Sequence, residues 1–142
     1  MKTWKINTKE ELVEAAKMVL AKFSAGLSGA RILALHGELG VGKTAFVQKL
    51  GKLLGVRDVI TSPTFVIMKR YLTGSQDLKQ LVHIDAYRLE SVDEMRVLGF
   101  KPLLKEKDTI ICIEWAEKIE ALLPKSALHL HFSLDESGRS LR

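Results

Sequence analysis

Cysteine is almost absent from this sequence, and long apolar runs are missing altogether. The single cysteine, Cys112, cannot form an internal disulfide, and it lies in the apolar run TIICIEW, where a free cysteine usually behaves as a small buried hydrophobe. No apolar run approaches the roughly 20 residues that cross a bilayer, so we expect no membrane association. The first residues, MKTWKINTKEE, contain no apolar h-region and no small-residue cleavage site, so we expect no secretory signal and a cytoplasmic location.

Proline is also scarce, and the sequence has no internal repeat, low-complexity tract or proline-rich linker. We therefore expect residues 1–142 to fold as one domain. The 22 Lys and Arg against 17 Asp and Glu give a formal net charge of +5, which permits an anionic partner such as a nucleotide or a nucleic acid. Because these cations are scattered along the chain, the composition alone does not favour direct nucleic-acid binding.

The hydrophobic pattern predicts helices that alternate with strands. Residues 8–23 carry apolar side chains at helical spacing, with Thr8 and Glu11 placed as a capping box. Residues 31–36 and 109–115 are apolar enough for buried strands, and they imply an α/β fold with a largely parallel sheet. A further helix is predicted from Lys43 to about Leu54, where Gly55 stops it, and TFVIMKRY and LKQLVHIDAYRL are predicted to form a hairpin. Short helices are predicted in SVDEMRVLGF, capped by Ser91 with Glu94, and in AEKIEALLP. The segment ALHLHFSL is predicted to be a half-exposed strand.

The run GELGVGKT satisfies the phosphate-loop pattern G-x-x-x-x-G-K-[ST] in full. Glycines let backbone N–H groups curl around phosphate oxygens, and the start of the following helix directs its unpaired N–H groups at the same anion. In this pattern Lys43 reaches the β- and γ-phosphates of ATP and the Thr44 hydroxyl binds Mg²⁺, and we expect Lys43 to need no burial. The motif predicts a three-layer P-loop NTPase-like domain with a mostly parallel sheet and an inserted antiparallel hairpin. The predicted nucleotide-binding residues of this segment are Gly37, Glu38, Leu39, Gly40, Val41, Gly42, Lys43, Thr44 and Ala45.

Two acidic residues follow predicted strands, Asp85 in VHIDAYRL and Glu114 in IICIEW. The carboxyl ends of parallel strands line the ligand crevice of such sheets, so both carboxylates are candidates for the metal site and for catalysis. Thr64, in the loop TSPTF after the P-loop helix, is a candidate switch residue that senses the γ-phosphate, and an inert capping threonine is the equal alternative. The histidines show no metal spacing, and the alternation in LHLHF places His129 and His131 on one solvated strand face.

Five segments of the sequence together resemble the TsaE (YjeE) family: GELGVGKTAF, TSPTFVIMKRY, HIDAYRL, LGF and IEWAEKIEALLP. The resemblance covers residues from about 8 to 139. It implies a small bacterial ATPase that binds ATP and Mg²⁺ and is required for threonylcarbamoyladenosine in tRNA. It also implies two partner proteins, TsaD and TsaB, which transfer the threonylcarbamoyl group to the adenosine 3′ of the anticodon. The ATPase does not perform that transfer, and its link to tRNA is indirect, through the complex.

The resemblance also implies roles for individual residues. Thr64 matches the switch threonine of SPTF, and Asp85 matches the acid of D-x-Y-R, with a Walker-B-like role. Glu114 matches the acid implicated in metal binding and hydrolysis, and Trp115 matches the tryptophan near the nucleotide. The chain stops at Arg142, sooner after Gly138-Arg139 than most relatives, so we expect a shortened last strand. The residues that match other nucleotide-touching segments of the family are Thr8, Lys9 and Arg139.

Two other functions are compatible with a phosphate loop. A small-molecule kinase of the shikimate or gluconate type would carry an arginine-bearing lid over the phosphates, and no Arg-rich, Gly-flanked segment is visible. The second alternative function is a nucleotide switch that does not hydrolyse ATP, although the two acids and Thr64 favour hydrolysis. Fast hydrolysis commonly needs an arginine finger. Arg88 is three residues beyond Asp85 and would face the opposite side of a regular strand, so we expect a weak ATPase that becomes active in a complex.

Overall fold

A computed structural model describes residues 3–23, 29–37, 42–61, 67–135 and 138–141. The strands are β1 (Trp4–Lys5), β2 (Arg31–His36), β3 (Met68–Leu72), β4 (Gln80–Asp85), β5 (Thr109–Glu114), β6 (Leu128–Asp135) and β7 (Gly138–Leu141). The α-helices are α1 (Lys9–Ala21), α2 (Lys43–Leu53), α3 (Val92–Val97) and α4 (Phe100–Leu104), and a 3₁₀ segment spans Ala116–Leu122. None of the described helices is long and apolar enough to cross a membrane.

Within the described residues the strands form one seven-stranded sheet in the order β1-β7-β6-β2-β5-β4-β3. The four central strands β6, β2, β5 and β4 are parallel to one another. Strand β3 pairs antiparallel with β4, which confirms the predicted hairpin, and β7 and β1 extend the other edge in antiparallel fashion. The sheet is therefore mostly parallel with antiparallel additions at both edges.

Helices cover both faces of the sheet, which confirms the three-layer prediction. On β2, Leu33 and Leu35 pack into one hydrophobic cluster with α1 and α2. The alternate residues Ile32 and Ala34 pack into a second cluster with α3, α4 and the 3₁₀ segment. Since neighbouring strand residues point to opposite faces, a continuous apolar strand supplies both clusters at once. Cys112 on β5 is fully buried in the first cluster and has a free thiol, as predicted.

The helix ends confirm some capping predictions and correct one. The Thr8 hydroxyl accepts from the backbone N–H of Glu11 at 3.1 Å, and the Glu11 carboxylate accepts from the N–H of Thr8 at 3.1 Å, so the predicted capping box is present. The box predicted at Ser91 is wrong, because its side chain makes no capping bond within the described chain. Glu94 instead accepts from the backbone N–H of Glu90 at 3.0 Å, which closes the turn one residue earlier.

Two short segments differ from the sequence prediction. The segment AEKIEALLP forms the predicted short helix, but as a 3₁₀ segment with a kink at Ile119 (φ −126°, ψ 25°). Helix α4 was not predicted as a separate element. It begins after Gly99, whose left-handed φ of +84° separates it from α3. Short helices of this kind depend on tertiary packing more than on their own propensity.

Candidate functional site

The site forms where the parallel strands end. Strand β4 ends at Asp85 and β5 ends at Glu114, and these two residues are direct register partners. Glu114 also pairs with Leu35 near the end of β2, from which the chain continues into the phosphate loop. Because the three strands are parallel, their carboxyl ends meet at one edge of the sheet. The structure therefore brings both predicted acids together, as the sequence indicated.

The phosphate-loop lysine crosses this edge and reaches back to the end of β2. Lys43 is the first residue of α2, and its Nζ donates a hydrogen bond to the backbone oxygen of Gly37 at 2.6 Å. Gly42 precedes the helix with φ +103°, a left-handed conformation that favours glycine. The first N–H groups of α2 have no acceptor within the helix, so an anion can bind at this helix start. The loop residues Glu38, Leu39, Gly40 and Val41 lie outside the described residues.

The burial of Lys43 corrects one sequence expectation. Its side chain is only 4% exposed, although we expected it to need no burial. The ammonium group lies 4.2 Å from the centroid of the Trp115 ring, a cation–π distance. Burial lowers the pKa of Lys43, and the negative charges of Glu114, Glu117 and Asp85 oppose that shift. A partly desolvated cation among acids is a strong anchor for phosphate oxygens.

Thr44 and Glu114 form the second half of the site. The Thr44 hydroxyl lies 3.2 Å from Oε1 and 3.1 Å from Oε2 of Glu114. Two oxygens in neighbouring positions of an octahedral Mg²⁺ shell are separated by about 3.0 Å, since Mg–O bonds are about 2.0–2.1 Å. The hydroxyl–carboxylate pair thus fits two ligands of one Mg²⁺. No cluster of three or more His, Cys, Asp or Glu side chains in the described ranges could hold a metal, so phosphates and water would supply the remaining ligands, as is usual for Mg²⁺.

A buried histidine also contacts the Glu114 carboxylate. His83 Nε2 lies 2.6 Å from Oε2 of Glu114, and the histidine is fully buried on β4. His83 was not among the predicted site residues. The signal was available, because His83 stands two residues before Asp85 in an alternating strand and so shares its face.

Aromatic and polar residues surround Asp85 and Trp115. The Asp85 Oδ1 accepts a hydrogen bond from the backbone N–H of Tyr87 at 2.9 Å, which fixes the carboxylate in the turn after β4. The Tyr87 ring lies 5.0 Å from the Trp115 ring, and Lys118 Nζ donates to the Tyr87 backbone oxygen at 2.5 Å. Trp115 itself has a positive φ of 57°, which turns the chain sharply after Glu114. The strand ends are therefore held by the residues that follow them.

Arg88 requires a correction. We expected it to face away from Asp85 as part of a regular strand, but β4 ends at Asp85 and Arg88 lies in the turn beyond it. The two-residue alternation of a strand therefore does not determine its direction.

The two ends of the described chain meet near the start of α2. The backbone N–H of Arg139 donates to Asn7 Oδ1 at 2.7 Å, and Ile6 N–H donates to the Arg139 oxygen at 3.1 Å. Ile6 also approaches Gly42, since a Cβ placed there would lie 3.8 Å from its Cδ1. The segments that carry Thr8, Lys9 and Arg139 are thus neighbours close to the phosphate loop. Thr8 is engaged in its capping box, Lys9 and Arg139 are exposed, and Thr64 lies outside the described residues.

The histidines beside the phosphate loop form a stacked group. His129 and His131 share a strand face and are both exposed, as predicted. The ring of His36 stacks between them, with centroid distances of 5.1 Å to His129 and 4.8 Å to His131. His36 Nδ1 also lies 3.1 Å from the carboxylate of Glu117. The stacking with His36 was not predicted, because it depends on β6 lying beside β2 in the sheet, and strand neighbours cannot be read from the sequence of one strand.

Comparisons with known proteins agree with this geometry. A family model described as threonylcarbamoyl adenosine biosynthesis protein TsaE matches residues 6–141. A Streptomyces coelicolor protein named tRNA threonylcarbamoyladenosine biosynthesis protein TsaE is 46% identical over 93 residues, which is 64% of this chain and 61% of that protein. The Bacillus subtilis protein of the same name is 35% identical over 127 residues, or 89% of this chain and 74% of its own length.

A solved structure shows the same fold. The crystal structure of Bacillus subtilis YdiB superimposes with a TM-score of 0.71 at 26% sequence identity, covering 99% of this chain and 82% of that one. The phosphate loop, the paired acids at the strand ends and the match over residues 6–141 lead to one conclusion. The chain belongs to the TsaE family, whose members take part in the biosynthesis of threonylcarbamoyladenosine in tRNA.

Proposed function

We propose that this chain binds ATP with Mg²⁺ and hydrolyses it in support of threonylcarbamoyl modification of the adenosine 3′ of the anticodon. In this proposal it acts in the cytoplasm with TsaD and TsaB and does not itself transfer the threonylcarbamoyl group. The observation that carries the proposal is the contact of the Thr44 hydroxyl with the Glu114 carboxylate at 3.1–3.2 Å, directly beside the buried ammonium of Lys43.

The phosphates of ATP would bind at the start of α2. Lys43 now donates to the Gly37 oxygen, a neutral acceptor that phosphate oxygens can replace with a stronger, charge-assisted bond. The first N–H groups of α2 add the positive end of the helix dipole on the same side. Thr44, the next residue, turns its hydroxyl toward Glu114, so that cation and metal ligand come from adjacent positions.

The acids would hold the metal and orient the attacking water. Bound Mg²⁺ would neutralise charge on the phosphates, which is the main contribution of the metal in phosphoryl transfer. Glu114 is 5% exposed and already paired with Thr44, so it provides a preformed anionic ligand. Asp85 lies beside it in the sheet, held by the Tyr87 N–H, and is the candidate for positioning water. Thr64 is proposed to sense the γ-phosphate.

Hydrolysis is proposed to be slow in the isolated chain and faster in the complex. An arginine finger adds roughly 10³–10⁵ to the rate of such enzymes and can come from a partner protein. The test is phosphate release from ATP and Mg²⁺ while a TsaB–TsaD preparation from the same organism is titrated in. We expect the rate to rise with the partners and to saturate.

Matched variants sharpen this test. Glu114→Gln keeps the shape and removes the charge, and its turnover should fall sharply because charge stabilisation dominates phosphoryl transfer. Glu120→Gln makes the same change at an exposed position of the 3₁₀ segment and should leave turnover unchanged. A rate that is high without partners and flat through the titration would contradict the complex-dependent function. Transfer of phosphate to a small molecule would instead support a kinase, and tight ATP binding without phosphate release would support a nucleotide switch.

A further inference from the structure

His83 is a fully buried histidine whose hydrogen bonding is one-sided. Its Nε2 lies 2.6 Å from Oε2 of Glu114. Its Nδ1 is buried and has no hydrogen-bond partner among the residues that the structure describes. Buried polar side-chain atoms are usually paired, so an unpaired nitrogen needs an explanation.

The direction of the bond follows from the chemistry of the two groups. An ionised carboxylate only accepts hydrogen bonds. The Nε2 atom therefore carries a hydrogen and donates a hydrogen bond to Glu114. The Thr44 hydroxyl approaches the same carboxylate from α2. Two elements of the fold, β4 and α2, thus hold the Glu114 carboxylate from two sides. A carboxylate has about four acceptor positions, so capacity remains on Oε1 for a metal.

We propose that His83 is a positioning residue that holds the Glu114 carboxylate in its Mg²⁺-binding orientation; the inference rests on the proposed function of the site. Residues that hydrogen-bond to a metal-binding carboxylate, without binding the metal themselves, fix the orientation of that carboxylate.

A purely structural role explains the contacts less well. The residues before and after His83 on β4, Val82 and Ile84, are apolar and fully buried. Its register partner on β5 is the buried Cys112. An apolar side chain of similar size would fill this place without burying an unpaired nitrogen. The one bond that His83 makes is directed to the acid of the site.

The geometry of the strands explains why His83 lies beside the two acids of the site. His83 and Asp85 are separated by one residue on β4, so both side chains lie on the face of the sheet that carries Glu114. The adjacent parallel strands thereby place the positioning histidine, the metal-binding acid and the water-positioning acid together. A shift of one residue in register would separate them.

The experiment compares His83→Leu, which removes the donor, with His83→Gln, which keeps an N–H donor on a side chain of similar reach. Leu81→Met, on the same strand and face, is the matched control for a change in the buried layer. Electron paramagnetic resonance measures Mn²⁺ bound in the presence of ADP, and calorimetry measures ADP affinity in EDTA. Circular dichroism checks that each variant is folded.

We expect His83→Leu to weaken ADP-linked Mn²⁺ binding about 10- to 100-fold, the usual effect of losing such a partner. Metal-free ADP affinity should stay within about twofold, because Lys43 and the helix start are unchanged. His83→Gln should recover most of the Mn²⁺ affinity, and Leu81→Met should bind Mn²⁺ as the wild type does. Wild-type Mn²⁺ affinity in folded His83→Leu would overturn the inference. The inference would also be overturned if both His83 variants lost metal-free ADP affinity and ADP-linked Mn²⁺ affinity to the same extent.

Two further measurements separate the possible failures. Loss of Mn²⁺ binding in Glu114→Gln with no loss in His83→Leu would leave the proposed function intact and overturn the role of His83. Absence of ADP-linked Mn²⁺ binding in the wild-type chain would overturn both. If His83→Leu does not fold, ¹⁵N NMR of the wild-type imidazole remains decisive: a proton on Nε2 whose signal shifts in Glu114→Gln supports the inference, and a proton on Nδ1 alone overturns it.

Discussion

Replacing Lys43 with methionine would remove the ammonium group and keep an unbranched side chain in its place. This distinction matters because Lys43 is 4% exposed and lies over the Trp115 ring, so alanine would also open a cavity. Methionine preserves the packing of the stem and tests the charge alone. The matched control is Lys52→Met, at an exposed position near the end of the same helix.

The expected loss of ATP affinity follows from the contacts of the ammonium group. One charge-assisted hydrogen bond is worth about 1.5–3 kcal/mol, which corresponds to roughly 10- to 150-fold in affinity. The value should lie toward the upper part of this range because the buried Nζ already has its position fixed by the bond to Gly37. Lys52→Met should change ATP affinity by less than about twofold.

The same variant gives a test of stability against pH. Burial lowers the pKa of Lys43 in the folded chain below its ordinary value of 10.5. Between the lowered pKa and 10.5 the unfolded chain binds more protons at this residue than the folded chain, so its contribution to the unfolding free energy rises with pH. The wild type should therefore gain stability relative to Lys43→Met as the pH is raised through this window.

Calorimetric titration with ATP and Mg²⁺ measures the first effect, and urea unfolding of both proteins across alkaline pH measures the second. A folded Lys43→Met protein with wild-type ATP affinity would refute the assignment of the phosphate site. A stability difference that stays constant with pH would refute the reasoning about the buried ammonium and leave the phosphate site intact.

Further predictions concern the segments that meet beside the phosphate loop. Thr8→Ala should lower the unfolding free energy by about 1 kcal/mol, measured in urea, because it removes one side of the capping box, and Thr8→Ser should restore it. Gly138→Ala should cost more than Gly99→Ala: both glycines have positive φ, but a Cβ at Gly138 would lie 2.3 Å from Asn7 Oδ1, whereas nothing lies within 4 Å at Gly99. Backbone strain alone accounts for about 1–2 kcal/mol at Gly99. Equal losses of stability in the two alanine variants would show that Asn7 moves aside.

Much of the fold and the candidate site could be predicted because the signals are local. A phosphate loop requires its glycines, lysine and threonine within one short run, with a strand before it and a helix after it. The positions of Asp85 and Glu114 at strand ends also follow from local apolar patterns, and parallel strands bring such ends together. The capping box runs only from Thr8 to Glu11, so it too could be predicted directly from the sequence.

The remaining features depend on partners that are distant in the sequence. His83 lies 31 residues from Glu114, and Thr44 lies 70 residues from it, yet the sheet order β2-β5-β4 brings each of them into contact with the Glu114 carboxylate. The stack of His36 with His129 likewise depends on β6 lying beside β2. The sequence determined which residues are candidates for phosphate and metal binding, since that information resides in residue type and short spacing. The tertiary structure decided that Lys43 is buried and that His83 lies within hydrogen-bond distance of Glu114, because burial and hydrogen-bond partners are set by which strands become neighbours.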